Sequence, residues 1–194
     1  MHILIIDEDK TKARKVQELL EKKISGIKTD KASDYIEAIE LCKRSADDEK
    51  PVLYARCYGY FEAYINGVPL HFKRSRAKEL LAYLVDRRGA MVTTRELCSI
   101  LWPDEAENES LFSQCRTLIS SLKRSLEDAG VGDVLERTHG GIRIVPEKIM
   151  CDFYEFMADP KEANVFNWEY MSQYEWSEVT AAELWRVLEI APDK

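Results

Sequence analysis

The sequence predicts an α+β protein: a winged helix-turn-helix with an N-terminal β-sheet, preceded by a small β-α-β-α segment. Three observations carry this. An aromatic, β-rich run over 58–65 meets Asn66-Gly67 and returns as Val68-Pro69-Leu70-His71-Phe72. Three helical periods then follow between residues 75 and 129, and two further β-like runs flank Thr138-His139-Gly140-Gly141. The order hairpin, helix, helix, helix, hairpin makes the second and third helices the helix-turn-helix and the last hairpin the wing.

The chain begins with Ile3-Leu4-Ile5-Ile6, an apolar run of the kind buried in a parallel sheet, ending in Asp7-Glu8-Asp9. A helix is expected over 10–24, with Ala13, Val16, Leu19, Leu20 and Ile24 on one side and Ser25-Gly26 stopping it. A short strand over 27–30 and a second helix over 33–45, with Tyr35, Ile36, Ile39 and Cys42 apolar, complete this part. The charged run Ala46-Asp47-Asp48-Glu49-Lys50-Pro51 is the best boundary. The expected domains are 1–50, the winged helix over 51–150, and an acidic helical extension over 151–194.

Within the winged helix, Asn66-Gly67 suits a type I′ turn, because both positions must take positive φ. Ser75 is placed to cap a helix over 76–88 whose core side is Leu80, Leu81, Leu84 and Val85, closed by Gly89. Thr93 and Glu96 have the capping-box spacing at the start of a short helix with Leu97, Ile100, Leu101 and Trp102 apolar, ended by Pro103. Strands are expected over 134–137 and 142–145. In the tail, 152–158 is a short amphipathic helix with Phe153, Phe156 and Met157 apolar. A second helix, over 179–190, carries Leu184, Trp185 and Leu188.

The third helix organises the rest. Leu111, Cys115, Leu118, Ile119, Leu122 and Leu126 recur at helical spacing and form one stripe. The other face carries Ser113, Arg116, Thr117, Ser120, Lys123 and Arg124, and residues 110–126 contain no acid. An ordinary solvated helix mixes signs in i,i+4 pairs. A helix meant for the major groove wants this composition instead: no carboxylate near phosphates, short side chains for close approach, and Arg for guanine or phosphate.

Composition limits the alternatives. Of the 194 residues 45% are apolar, enough to fill a core, and no apolar run approaches the ~18 residues of a membrane span. The N-terminus lacks the basic region and small-residue cleavage site of a signal peptide. The cysteines Cys42, Cys57, Cys98, Cys115 and Cys151 are scattered without a C-x-x-C, so neither a disulfide framework nor a zinc site is expected, and a reducing cytoplasm fits. The net charge of −7 resides in the tail: residues 151–194 carry 3 basic and 10 acidic side chains, whereas 51–150 carry 14 and 13. Binding to a polyanion therefore depends on a local face. No Ser–His–Asp, Cys–His or Gly-rich phosphate loop is visible, and neither an enzyme nor a cofactor is expected.

Three stretches resemble known families. Asp7 and Glu8 stand where a response-regulator receiver domain keeps a paired acidic group for magnesium. The strands that would carry the phosphoryl-acceptor aspartate, the switch hydroxyl and the lysine are missing, so control by aspartyl phosphorylation is not expected. The preferred reading is that Asp7, Glu8 and Asp9 cap a strand end and favour the next helix N-terminus. Residues 61–145 resemble the OmpR-type winged helix in the variant found in Streptomyces antibiotic regulatory proteins. The matching residues are Asn66-Gly67-Val68-Pro69-Leu70, the run from Arg74 to Gly89 with Ala77-Lys78-Glu79-Leu80-Leu81-Ala82-Tyr83-Leu84 as its most specific part, Leu101-Trp102 and Leu118-Ile119-Ser120-Ser121-Leu122-Lys123. The tail around Glu169-Tyr170-Met171-Ser172-Gln173-Tyr174-Glu175-Trp176 resembles the end of such regulators from Gram-positive bacteria.

The resemblance implies a sequence-specific transcription regulator of double-stranded DNA, with the third helix in the major groove. Ser113, Gln114, Arg116, Thr117, Ser120 and Ser121 are then candidates for base edges or nearby phosphates, and Lys123 and Arg124 for the backbone. Arg116 is the first choice for reading a base. Thr93, Thr94 and Arg95 can meet a phosphate at the second helix N-terminus. Arg137, Thr138, His139 and Arg143 are wing candidates. A homodimer formed through the receiver remnant is expected. The tail either packs over the N-terminal sheet, burying Trp168, Tyr170, Tyr174 and Trp176, or offers an acidic aromatic surface to a partner such as RNA polymerase. The alternative function is an adaptor that uses the winged helix for protein contact.

Overall fold

The computed structural model describes residues 2–7, 9–24, 28–33, 50–159 and 169–190. The chain divides into two compact units, Met1–Lys50 and Pro51–Lys194. Among the described residues no helix is long and apolar enough to cross a membrane.

In the first unit, β1 (His2–Ile6) and β2 (Lys28–Ala32) pair in parallel around α1 (Lys10–Lys23), with Ile3 opposite Thr29 and Ile6 opposite Ala32. The acidic cluster does local work. Asp9 Oδ1 accepts the Thr11 and Lys12 amides at 2.9 and 3.3 Å, capping α1, and Asp7 Oδ1 accepts the Asp9 amide at 2.8 Å. These bonds satisfy donors that a helix start leaves orphaned. Glu8 and the second helix expected over 33–45, beyond Ser33, lie outside the described residues. The expected stripe on α1 is only partly covered: Ala13 is buried, whereas Val16 and Leu19 are exposed. Two strands are too narrow to cover a full helical stripe.

The second unit is α+β, with two small sheets among its described residues and a winged-helix-like order of elements. Its N-terminal sheet combines β3 (Leu53–Arg56), β4 (Glu62–Ile65), β5 (Val68–Pro69) and a late strand, β8 (Ile149–Cys151), in the order β5-β4-β3-β8. Asn66 and Gly67, with φ of 48° and 82°, close the β4–β5 turn as the Asn-Gly pair requires. Two expectations need correction here. The strand expected from Tyr58 begins only at Glu62, because the Cys57 and Tyr58 amides turn to the Asp152 carboxylate and the Phe61 amide to Gln173 Oε1. The returning strand, expected over 68–72, keeps only two residues.

Three helices follow: α2 (Ser75–Asp86), α3 (Thr94–Leu101) and α4 (Glu109–Asp128). Ser75 is the first helical residue of α2, not its cap; Arg74 holds that position without a side-chain bond. Arg88, at φ 50°, and Gly89, at φ 84°, turn the chain out of it, and a Cβ on Gly89 would meet the Pro146 ring at 2.8 Å. The wing is β6 (Leu135–Thr138) and β7 (Gly141–Ile144), one residue later at the start and one earlier at the end than expected. All six apolar residues of the α4 stripe are buried and join one core with Leu80, Leu81, Leu84, Leu97, Ile142 and Ile144. Burying a Leu or Ile side chain contributes about 1.5–3 kcal/mol. The row beneath α4 therefore fixes which face of that helix points outward.

The tail helices are α5 (Asp152–Ala158) and α6 (Glu178–Ile190). The segment before α6 packs on the winged-helix-like body. Met171 N donates to the Cys57 carbonyl at 2.8 Å, Tyr170 Oη to Asp86 at 2.9 Å, and Trp176 sets its ring edge-on to Tyr83 at 5.1 Å. Tyr170 and Met171 are buried, and Tyr174 stacks on Trp176. Leu184 anchors α6, while Val179 and Trp185 are exposed. Trp168 and the Leu188 side chain lie outside the described residues.

Candidate nucleic-acid interface

The outward face of α4 starts from a firm cap: Asn108 Oδ1 accepts the Leu111 amide at 2.9 Å. The buried stripe then forces Ser113, Gln114, Arg116, Thr117, Ser120, Lys123 and Arg124 into solvent, with Ser121 half-buried at the edge. The Thr117 and Ser120 hydroxyls donate to the Ser113 and Arg116 carbonyls, at 3.0 and 2.9 Å. Each keeps lone pairs for an incoming donor.

The acid-free window has acidic ends that reach into it. Glu109 lies 3.6 Å from Arg116 and Glu127 3.4 Å from Lys123. The sequence window 110–126 stopped one residue short of each. More than half of all four side chains is exposed, and such pairs contribute about 0–1 kcal/mol. Exchanging these carboxylates for phosphate therefore costs little.

Beside α4 the wing and the α3 N-terminus enclose a cleft of about 390 Å³, lined by Thr93, Thr94, Ile119, Arg137, Thr138, His139 and Gly141 among others. Thr93 caps α3 by accepting the Glu96 amide at 3.1 Å. The capping box is only half formed, because the Glu96 carboxylate accepts from Tyr83 Oη at 2.8 Å and pairs with Arg87 at 3.6 Å. Burial, together with this bond to Glu96, pushes the Tyr83 phenol well above its ordinary range. Val92 and Ile142 exchange both backbone bonds at 2.9 Å, fastening the wing to the strand-like link before α3.

Gly141 makes that approach possible. Its φ is 152°, and a Cβ there would stand 2.2 Å from the Val92 carbonyl oxygen. Gly141→Ala should therefore cost about 1–3 kcal/mol through backbone strain and displacement of the wing. The check is urea denaturation of the variant beside wild type; an unchanged midpoint would contradict the tight wing attachment.

The wing register sorts its candidate residues. Arg137 stands opposite Ile142, on the face turned to the cleft, and Thr138 and His139 reach the same cleft from the turn. Arg143 stands opposite Glu136 and is held by it, with Nε and Nη2 at 2.8 and 2.6 Å from one carboxylate oxygen. The structure thus does not bring Arg143 to the cleft. Nor does Arg95 line it; Arg95 pairs with Glu107 at 3.2 Å. Thr93, Thr94, Arg137, Thr138 and His139 share the cleft, and the α4 ridge runs from it through Ile119. Sequence reasoning did not find the cleft itself, whose two walls, at Thr93 and Thr94 and at Arg137 and beyond, lie more than forty residues apart in the chain with α4 between them.

Neither a protein-family model nor a curated protein matches the sequence. Among solved structures the chain is similar to Mycobacterium tuberculosis EmbR in complex with a low affinity phosphopeptide, with a TM-score of 0.58 and 18% identity. The match covers 71% of this chain and 42% of that one, so the chain spans less than half the length of its neighbour. The likeness is one of fold.

Proposed function

We propose that this chain is a sequence-specific regulator of transcription that binds double-stranded DNA, with α4 in the major groove and the wing alongside. One observation carries the reading: the solvent face of α4 between its end acids is built only of cations, hydroxyls and an amide. Such a face suits close approach to phosphates and base edges. The adjoining cleft, with Thr93, Thr94 and Arg137 on its walls, is of a kind to receive backbone phosphate next to the groove. Arg143, tied to Glu136, is left out of the contact set. Control by aspartyl phosphorylation forms no part of the proposal.

The test is fluorescence anisotropy of the full chain with duplex DNA at two salt concentrations, after selection of bound sequences from a random duplex library. Affinity should fall as salt rises, with a slope set by the phosphates neutralised. The spacing of selected half-sites reports whether two copies bind together. On the selected site, Arg116→Ala should cost about 1–3 kcal/mol and relax the preference at one base position. Equal weakening on every sequence would make Arg116 a phosphate contact only. No salt-dependent binding at all would overturn the DNA reading and favour a protein-contact adaptor.

A further inference from the structure

The sequence offered five scattered cysteines, and folding brings four of them together in two pairs, Cys98 with Cys115 inside the helical core and Cys57 with Cys151 at the sheet. Cys57 follows β3, and Cys151 ends β8, the strand paired in parallel beside it, with Ala55 opposite Cys151. Their sulfurs lie 3.5 Å apart in hydrogen-bond contact, and both residues are buried. Asp152 fixes the backbone on both sides of the pair, accepting the Cys57 amide at 2.7 Å and the Tyr58 amide at 3.2 Å. A disulfide has an S–S length of about 2.05 Å, so the two sulfurs have to approach by about 1.5 Å to bond.

We propose that Cys57 and Cys151 form a redox pair, oxidised to a disulfide that locks β8 against the end of β3. The segment between them contains all three helices and the wing, so the bond joins the entrance and exit of the winged-helix-like body. Closing a loop of that length restricts the unfolded chain far more than the folded one. The oxidant is a low-molecular-weight disulfide. One cysteine, as thiolate, attacks a sulfur of it, releasing one small thiol and leaving a mixed disulfide on the protein. The second cysteine attacks the protein-side sulfur and expels the second small thiol. The two protein thiols lose their hydrogens, and one small disulfide becomes two thiols.

The tail packs directly against this corner. Met171 N bonds the Cys57 carbonyl, and Tyr170 forms a β-bridge with Tyr58. Burial pushes the Cys57 thiol well above its ordinary range, so the closed protein reacts slowly and oxidation follows opening of the 169–177 segment. Cys57, Cys151 and Asp152 also have the donor types of a metal site. Both Asp152 oxygens, however, already accept backbone amides, and a tetrahedral ion would need a fourth donor.

The experiment incubates the full chain with oxidised glutathione, blocks free thiols with N-ethylmaleimide under denaturing conditions, and maps unreduced peptides by mass. The expected result is a linked peptide joining Cys57 to Cys151, lighter by two hydrogens than the two separate peptides, and lost on reduction. The oxidised chain should show a higher urea midpoint that dithiothreitol reverses. Cys98→Ala should leave both results in place, and Cys151→Ala should abolish both. Mapping of the unaltered chain decides the matter even where a variant does not fold. A link between Cys98 and Cys115, glutathione adducts that never close to a protein disulfide, or an unshifted midpoint would each overturn the proposal. None of these readouts depends on DNA binding.

Discussion

Asp152→Ala should destabilise the second unit by about 3 kcal/mol, through orphaned buried donors. The carboxylate is nearly buried and takes three backbone amides: Cys57 at 2.7 Å and Phe153 at 2.8 Å on Oδ1, and Tyr58 at 3.2 Å on Oδ2. These bonds lie where β3 ends, β8 ends and α5 begins, so one side chain holds three segments together. Asp152→Asn keeps one oxygen for Cys57 and Phe153 but turns a donor toward Tyr58, so it should cost roughly half as much. Urea denaturation of the three chains gives the ranking; an Asn variant as damaged as the Ala variant would refute this account of the clamp. The pH dependence has a definite sign. Burial, the largest cause, holds the Asp152 carboxyl above its ordinary range despite the three amides. An acid raised on folding contributes stability below its unfolded value, near ~3.9, and loses it as pH rises through the folded value. Wild type should therefore lose stability relative to Asp152→Asn as pH rises from the ordinary carboxylate range.

This clamp shows where sequence reasoning stops. Elements whose cause lies within a few residues were legible. Leucines at a period of 3.6 placed the buried side of α4, and all six stripe residues are in the core. Asn66-Gly67 placed the hairpin through its positive φ, and Thr93 placed the start of α3 through its hydroxyl. Features caused by distant partners were not legible. The strand β8 has three residues, too few to show alternation, and exists because β3 is there to pair with it. The Cys57–Cys151 approach and the Asp152 clamp join residues more than ninety positions apart. Register is the subtler case. Arg137 and Arg143 look alike as wing cations, yet pairing sets Arg137 opposite Ile142 and Arg143 opposite Glu136. The two are six positions apart, and that even separation sends them to different faces only once the turn is fixed at two residues. The candidate site was thus readable on one helix and unreadable where it depends on how wing and α3 meet.

Ser120→Glu is the variant expected to separate folding from binding most sharply. Position 120 is exposed at the middle of the α4 ridge, where the hydroxyl bonds the Arg116 carbonyl of its own helix. Glutamate is a better helix former than serine there. It would sit four residues after Arg116 and four before Arg124, so two i,i+4 pairs become available, each contributing about 0.3–0.5 kcal/mol. The folded state should hold or gain slightly, with an unchanged circular dichroism spectrum and an equal or higher urea midpoint. In the proposed complex the same carboxylate would face phosphate at close range and engage the cations meant for it. Like-charge juxtaposition of this kind costs several kcal/mol, and a loss on the order of 3 kcal/mol weakens binding roughly 100-fold. Fewer cations remain to displace counterions, so the salt slope should also flatten. Ser172→Glu, a change of the same kind on an exposed tail position, should leave DNA affinity as it was. Wild-type affinity in Ser120→Glu would mean that the α4 ridge is not the DNA-facing surface. Equal loss in both variants would mean that only the total charge matters.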